Sequence, residues 1–472
     1  MDTNAKNLIK KYMNYINIEN ISENKVLVFL FIFSLGLRLL YVNPGIFHAD
    51  SIGLTRAVER TYETGHLYGM FNGRYGSVIV NLLTYIPYHL ITGINSAEKS
   101  ILFSDILFAS FSVIMLFLFI KNIFKNKIIP LFTALLFSIS PIFLSITTYG
   151  ISHGIEIFFI LTSFFLLSIF HEKNSIHYLA LSSFSIAFSI IVRESAIIFV
   201  PLYFLFYLNP EIRENFISIK DEVIKFRTIC TVIFPFLIVF GIGLYLYIYE
   251  IIYRNIFMTD RLAVSFMGFY SESLPIAFED LFFNLTIIGV LLVIGGSLIL
   301  IISYENKFHF IFLFLWALTF YYFGNLNAYW SRFLAIVSVP FFIFMSIGLD
   351  WLYKKNKVFS MVIFLILIVS LFQQIQPIID YRHKFSGQKE YSLWVKEQVP
   401  PNSIIIASDD SGFISYYADL ETRSPPEDLE DNKKLEIWVE QLNMTLKNNI
   451  PIYLIGSAFA YDDKAIFRHV LA

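Results

Sequence analysis

The chain has one cysteine, Cys230, among 472 residues. A lone thiol excludes a disulfide framework, and its place inside an apolar run suits an inert buried group better than a nucleophile. Charge is also scarce. Asp, Glu, Lys and Arg make up 15% of the residues, against roughly a quarter in soluble domains. The formal net charge of −2 leaves no basic excess for a nucleic-acid partner. The chain has no visible internal repeat. No small-residue cleavage site follows the basic N-terminus, so the first apolar run is expected to stay as a signal-anchor.

What the chain does have is apolar mass: 56% hydrophobic residues, 52 of all residues Phe, and a mean hydropathy of +0.64. Eleven runs approach the length that crosses roughly 30 Å of hydrocarbon. They are 26–43, 101–120, 128–147, 155–170, 176–192, 195–208, 229–250, 282–302, 308–324, 333–351 and 358–374. An odd count puts the termini on opposite sides. Lys6, Lys10, Lys11, Lys25, Lys121, Lys125, Lys127, Lys173, Arg213, Lys220, Lys225, Arg227, Lys307, Lys354, Lys355 and Lys357 then fall on one side, which marks it as cytoplasmic. The alternation requires that 76–94 not span. Asn81, Pro87 and His89 would be costly in a span, so this segment is predicted to lie in the outer interface.

The tail is different material. "SIIIAS" (403–408) and "IPIYLIGS" (450–457) read as short parallel strands, while "KEYSLWVKEQV" and "DNKKLEIWVEQLNMTLKNN" carry helical periodicity. The expected architecture is a polytopic α-helical membrane protein of about eleven spans, residues 1–375. It has a long first external loop, 44–100, with juxtamembrane helices, and a small external α/β domain, 376–472.

Asp50, Arg56, Arg74, Glu156, Arg193, Glu194, Arg254, Arg261 and Arg332 all fall outside or at outer helix ends in this topology. A charge at a helix centre costs roughly 2.5–3.5 kcal/mol, so the helix middles are spared and a site at the outer surface is expected. Asp50, in "GIFHADSIGLTR", precedes an amphipathic stretch and could equally be a helix N-cap. Arg38, inside the first run, is expected to snorkel outward or to pair with Asp105.

The order of segments resembles the GT-C membrane glycosyltransferases: protein O-mannosyltransferases, the lipid A aminoarabinose transferase and the oligosaccharyltransferase catalytic subunit. "LGLRLLYVNPGIFHADS" resembles a first span followed by an acid-bearing loop. "GRYGSVIVNLLTYIPYHLITG" resembles the juxtamembrane segment, and "LFSISPIFLSITTYGISHGIEIFFILTSFFLL" the spans around a second outer loop. "IVRESAIIFVPLYFLFYL" resembles the next charged turn, "AYWSRFLAIVSVPFFIF" a late arginine segment, and the tail from "YSLWVKEQVPPNSIIIASDDSGFISYYA" a small external domain. There are departures. Ser51 stands where many members carry a second acid, and His153, with Glu156 one turn later, stands where many carry an Asp. Arg74-Tyr-Gly stands where many carry Lys-Pro-Pro or His-Pro-Pro.

The resemblance implies inverting transfer of a monosaccharide from a polyprenyl- or dolichyl-phosphate donor to a glycan, lipid or protein acceptor at the external face. Such a donor needs positive charge to meet its departing phosphate, and the acceptor hydroxyl needs a base. One carboxylate and one or more arginines therefore suffice, unlike the carboxylate pair of glycoside hydrolysis. Asp50 is the candidate base, and Arg332, Arg193, Arg74 and Arg261 are the candidate phosphate ligands. His153 and Glu156 are candidates for shaping the acceptor site or holding a divalent cation. Transfer of another lipid-linked group is the alternative within enzymes. A transporter is the alternative outside them, although charges gathered at one surface differ from the mid-membrane sites expected there.

Overall fold

The computed structural model describes residues 21–69, 73–208, 222–254, 273–303, 307–325, 331–408, 410–424 and 432–455. Arg261, one of the predicted phosphate ligands, lies outside these residues. Each of the eleven apolar runs is mostly helical where described. Four helices, or six if each sharply bent pair is taken as one, are long and apolar enough to cross a membrane. The first helix, α1 (Glu23–Leu40), is not among them; it carries Glu23, Lys25 and Arg38 in 18 residues.

After α1, the first loop folds into α2 (Ala49–Thr64) and α3 (Tyr75–Thr92). The 76–94 segment is thus helical as expected, and Leu83, Ile86, Leu90 and Ile91 line an exposed apolar stripe on it. The central pair is α4 (Glu98–Phe124) and α7 (His153–Lys173). Between them, the run 128–147 breaks into α5 (Ile128–Ser138) and α6 (Pro141–Ile146). Ser140 explains the break. Its hydroxyl accepts the Phe143 N–H, and Pro141 follows at the first helical position, where its missing donor costs nothing. Beyond α7 come α8 (Ile176–Val192), a 3-10 turn (Glu194–Phe199), α9 (Val200–Tyr207) and α10 (Glu222–Arg254).

The later helices are α11 (Ser273–Leu285), α12 (Ile287–Ser303), α13 (Lys307–Gly324), α14 (Leu334–Val337), α15 (Val339–Lys355) and α16 (Lys357–Lys384). Helices α12 and α15 touch backbone to backbone at facing glycines. A Cβ on Gly296 would sit 1.8 Å from the Phe344 carbonyl oxygen, and one on Gly348 would sit 2.9 Å from that of Leu292. Apolar helices gain little by leaving lipid for one another, so such close van der Waals contact is a main source of their association. Gly296→Ala should therefore destabilise the fold by about 1–3 kcal/mol, as core overpacking does. Gly295→Ala, where nothing lies within 4 Å of the new methyl, should be neutral. Thermal unfolding of the two variants in detergent checks the contrast.

Arg38 neither snorkels nor pairs with Asp105. It is fully buried, donating to Thr147 Oγ1 at 2.9 Å and Ser34 Oγ at 2.7 Å, with its guanidinium 4.5 Å from the Phe143 ring centroid. Hydroxyls and a π-face satisfy it without a counter-charge. Asp105 has another task. The residue before α7, Ser152, is left-handed and makes no side-chain cap. The Asp105 carboxylate of α4 accepts the Gly154 N–H at 2.7 Å and the Ile151 N–H at 3.2 Å instead. It thus satisfies donors that a helix start leaves open. Gly154 is required here, since a Cβ would lie 2.4 Å from the Asp105 carbonyl oxygen.

The tail forms a three-stranded parallel sheet, order β2-β1-β3, from β1 (Ile404–Ile406), β2 (Glu421–Arg423) and β3 (Ile452–Leu454). The central strand is apolar on both faces. Ile405 joins Val395, Ile414 and Leu420 on one side, while Ile404 and Ile406 meet Trp438 and Leu442 on the other. That two-sided burial is what a covered parallel strand requires. The two strands expected from "SIIIAS" and "IPIYLIGS" are β1 and β3; β2, the charged edge "ETR", carries no apolar signal. The flanking helices are α17 (Gly387–Gln398), α18 (Ser411–Tyr417) and α19 (Asn432–Lys447).

Helix α18 docks the tail onto the first loop. The Tyr417 hydroxyl accepts the Ile46 N–H at 2.8 Å and donates to Glu98 at 3.1 Å, and Lys389 pairs with Glu98 at 3.1 Å. Tyr416 donates to Glu59 at 3.1 Å, Arg56 donates to Ser415 at 2.8 Å, and Phe413 packs on Ile46 and Ile52. These contacts gather at the Glu98 end of α4. The Lys121–Glu23 and Lys125–Glu172 pairs lie at its other end, about 40 Å away at 1.5 Å per residue.

Candidate active site

Helix α2 begins at Ala49, so Asp50 is inside its first turn and is not the cap. The cap is His48, whose Nδ1 lies 3.1 Å from the Asp50 N–H. This corrects the expectation that an N-cap role might account for the acid. The carboxylate is left to face other groups, and those are basic. Arg74 approaches Asp50 Oδ2 at 3.3 Å and Arg332 at 3.7 Å; the three side chains are 15%, 14% and 11% exposed. Residues separated by 24 and 282 positions thus meet at one carboxylate.

Each partner is held in turn. Arg74 starts α3 in the left-handed conformation, φ 53°, a costly geometry for a residue with a Cβ. Its guanidinium grips Glu194 with both arms, at 2.8 and 2.5 Å, a bidentate pair that fixes its plane. Burial works against the Arg74 charge, but the bonds from Glu194 and the field of Asp50 raise its pKa, so it stays protonated. Arg332 NH1 lies 2.9 Å from His48 Nε2. A neutral imidazole has one acceptor nitrogen, so the Asp50 N–H and Arg332 cannot both bond the ring at once. When Nε2 accepts from Arg332, Nδ1 carries the proton and faces Asp50 Oδ1 at 3.6 Å. Burial pushes His48 down to about 4, outweighing Asp50, so the ring is neutral near pH 7. Burial alone would raise the Asp50 carboxyl. His48, Arg332 and Arg74 outweigh it and hold the group well below the usual carboxylate range.

The ring of His48 stacks on Tyr149, centroids 6.4 Å apart. Arg382, from the end of α16, lies 5.1 Å from that same ring and 4.5 Å from Phe47. The loop before Asp50 is therefore clamped by the last long helix as well as by the tail.

A second group adjoins the first. His153 Nδ1 lies 2.9 Å from Glu156 Oε2, Ser195 donates to Glu156 Oε1 at 2.5 Å, and Arg193 Nε is 3.5 Å from Glu156 Oε2. Arg193 also donates to the Ile151 carbonyl at 2.9 Å and is turned inward, 3% exposed. It braces the second loop instead of facing open space. Arg332 lines the small cavity at His153 and so borders both groups. His153 and Glu156 bond each other, and among the described residues no three His, Cys, Asp or Glu side chains converge on a metal position. The donor set does not fit a divalent ion, and no chemistry is derived through one.

Of the predicted residues, the structure brings together Asp50, Arg74 and Arg332, with His153, Glu156 and Arg193 beside them. His48, Glu194 and Ser195 were not singled out as site residues. The triplet Arg193-Glu194-Ser195 between two apolar runs was a legible hint, because three polar neighbours are rarely placed at a helix end without partners.

The family described as dolichyl-phosphate-mannose-protein mannosyltransferase matches residues 83–238, about a third of the chain. No curated protein matches the chain in sequence. Among solved structures, the oligosaccharyltransferase of Archaeoglobus fulgidus, determined with Zn and sulfate, is similar with a TM-score of 0.60 at 15% identity. That match covers 89% of this chain and 67% of the other. ArnT of Cupriavidus metallidurans, bound to undecaprenyl phosphate, is similar with a TM-score of 0.62 at 9% identity, covering 91% and 90%. AftD, an arabinofuranosyltransferase from Mycobacteria, gives a TM-score of 0.52 at 11% identity, over 83% of this chain and 31% of its own. The chain thus shares the fold of the oligosaccharyltransferase, of ArnT and of the arabinofuranosyltransferase.

Proposed function

We propose that the chain is an inverting glycosyltransferase that moves a monosaccharide from a polyprenyl- or dolichyl-phosphate to a glycan, lipid or protein acceptor at the external face of a membrane. What supports it most is one contact set: the Asp50 carboxylate between the guanidinium groups of Arg74 and Arg332. The neighbours by fold include proteins solved with dolichol-phosphate and with undecaprenyl phosphate.

In the resting site Asp50 is a poor base, because two arginines neutralise it. A phosphodiester entering the site competes for those same guanidinium donors. As its oxygens take them, Asp50 loses the field that depressed its pKa and becomes a better proton acceptor. The base is thus strengthened when the donor is present. The acceptor O–H then attacks the anomeric carbon, its proton passes to Asp50, and the carbon–oxygen bond to phosphate breaks. Polyprenyl phosphate leaves with its new charge met by Arg332 and Arg74. One-step displacement inverts the anomeric centre. The tail is proposed to face the same external side as this site and to help receive the acceptor. The lysine-rich helix ends are then cytoplasmic, in an eleven-span topology.

The test is incubation of purified protein in lipid nanodiscs with labelled polyprenyl-phosphate hexoses and a crude acceptor fraction. Label should pass to an acceptor with stoichiometric release of polyprenyl phosphate. Folded protein that neither binds nor consumes any such donor would overturn the assignment.

A further inference from the structure

His153 is the buried group that the proposed mechanism leaves unused. Its side chain is 3% exposed, and its Nε2 has no hydrogen-bond partner among the described residues. An unmade hydrogen bond at a buried polar atom costs about 1–3 kcal/mol, so native proteins keep few of them. The other ring nitrogen settles what Nε2 offers. Glu156 accepts from Ser195 and lies beside Arg193, and we assign the hydrogen of the 2.9 Å contact to His153 Nδ1, the tautomer that pairs with an ionised Glu156. Nε2 therefore presents a lone pair. His153 lines a cavity together with Glu156, Ser195, Arg332 and Phe333.

That lining is uneven. One wall is acceptor-rich and apolar, while Arg332 stands on the border with Asp50. An anionic oxygen would be repelled by the Nε2 lone pair, whereas an O–H would be bonded by it. Phe323 and Phe333, stacked on each other with centroids 5.2 Å apart, make up part of the apolar lining. With phosphate on Arg332, the group attached to that phosphate is the one that reaches His153.

We propose that His153 Nε2 is a donor-sugar subsite: it accepts a hydrogen bond from a hydroxyl of the sugar carried on the lipid phosphate, with Glu156 and Ser195 fixing its tautomer. This rests on the proposed function. The cavity holds only about 10 Å³, room for the centre of one water. Sugar entry therefore requires the cavity to widen, with movement of Arg332 off His48.

The experiment compares binding of two probes to protein in nanodiscs with a chelator present: undecaprenyl phosphate alone and undecaprenyl-phosphate hexose. His153→Phe should weaken the hexose-bearing lipid about tenfold, the worth of one hydrogen bond, and leave the bare phosphate unchanged. His153→Gln, which returns an acceptor near the Nε2 position, should recover most of the loss. Equal effects on both probes, or none, overturn the subsite. Loss of wild-type hexose binding on adding the chelator also overturns it, since a bound ion would then be the contact. Should His153→Phe not fold, unaltered protein is tested with singly deoxygenated hexose donors. One of them must bind about tenfold more weakly, and uniform affinity across the set refutes the subsite. Failure of wild type to bind even the bare phosphate would instead count against the proposed function.

Discussion

Asp50→Asn should lower kcat by about 10²–10⁴-fold, the range contributed by a positioned general base. Donor binding should hold or tighten, because the substitution removes the anion that competes with phosphate for Arg74 and Arg332. That pairing of effects is the useful signature: a merely structural aspartate would lose both. The pH dependence follows from the direction of the shift. The Asp50 pKa is depressed in the folded protein, so the ion cluster contributes stability above the ordinary carboxylate range near 4. That contribution fades only as pH falls toward the lower folded value. The free enzyme should therefore show no acid limb from Asp50 in kcat/KM between about pH 5 and 8. In kcat, which reports the donor complex, the acid limb should move upward as phosphate draws the arginines away. Steady-state rates across pH with a labelled lipid-phosphate sugar check both. A limb that is identical in kcat and kcat/KM would contradict the competition.

Arg332→Ala should cost about 10²–10³-fold in kcat/KM, as loss of one preorganised donor to a developing charge does. Here the loss should include donor affinity, in contrast to Asp50→Asn. Arg332→Lys should recover part of it. Lysine keeps the positive charge but cannot span Asp50 and His48 with two arms of one planar group. Equilibrium binding of undecaprenyl phosphate together with turnover separates the two variants. Full activity in Arg332→Ala would remove this residue from the site. Arg74 is a less clean target, since its removal also breaks the bidentate pair with Glu194 that anchors the start of α3.

The architecture was legible where physics is local. Eleven apolar stretches became helices because an apolar stretch in lipid must satisfy its own backbone. "SIIIAS" became the central strand because a short β-branched run bounded by polar turns has few other uses. The Ser140-Pro141 break was equally local and was missed only because a run of apolar residues hides a capping serine. What could not be read were the couplings at long range. Asp105 looked like a partner for Arg38, yet it caps α7, because the left-handed Ser152 leaves that helix start unsatisfied. Of the charged residues expected at one surface, Asp50, Arg74, Glu194 and Arg332 meet, with Glu156 and Arg193 beside them. Which arginine faces the acid and which one braces a loop depends on crossings no pattern encodes: Arg193 turns inward to Ile151 while Arg74 turns toward Asp50.

The tyrosines of α18 bear on how this molecule can be dissected. Tyr417 ties the backbone at Ile46, four residues ahead of Asp50, to Glu98 at the head of the central helix. A truncation just after the last long helix would delete more than an appendage, since it would untie the segment that carries Asp50. The shortest chain that retains an ordered reaction centre should therefore run through Tyr417. Loss of turnover on trimming past Tyr417 would then report slack in the loop around Asp50 as well as any loss of acceptor contacts.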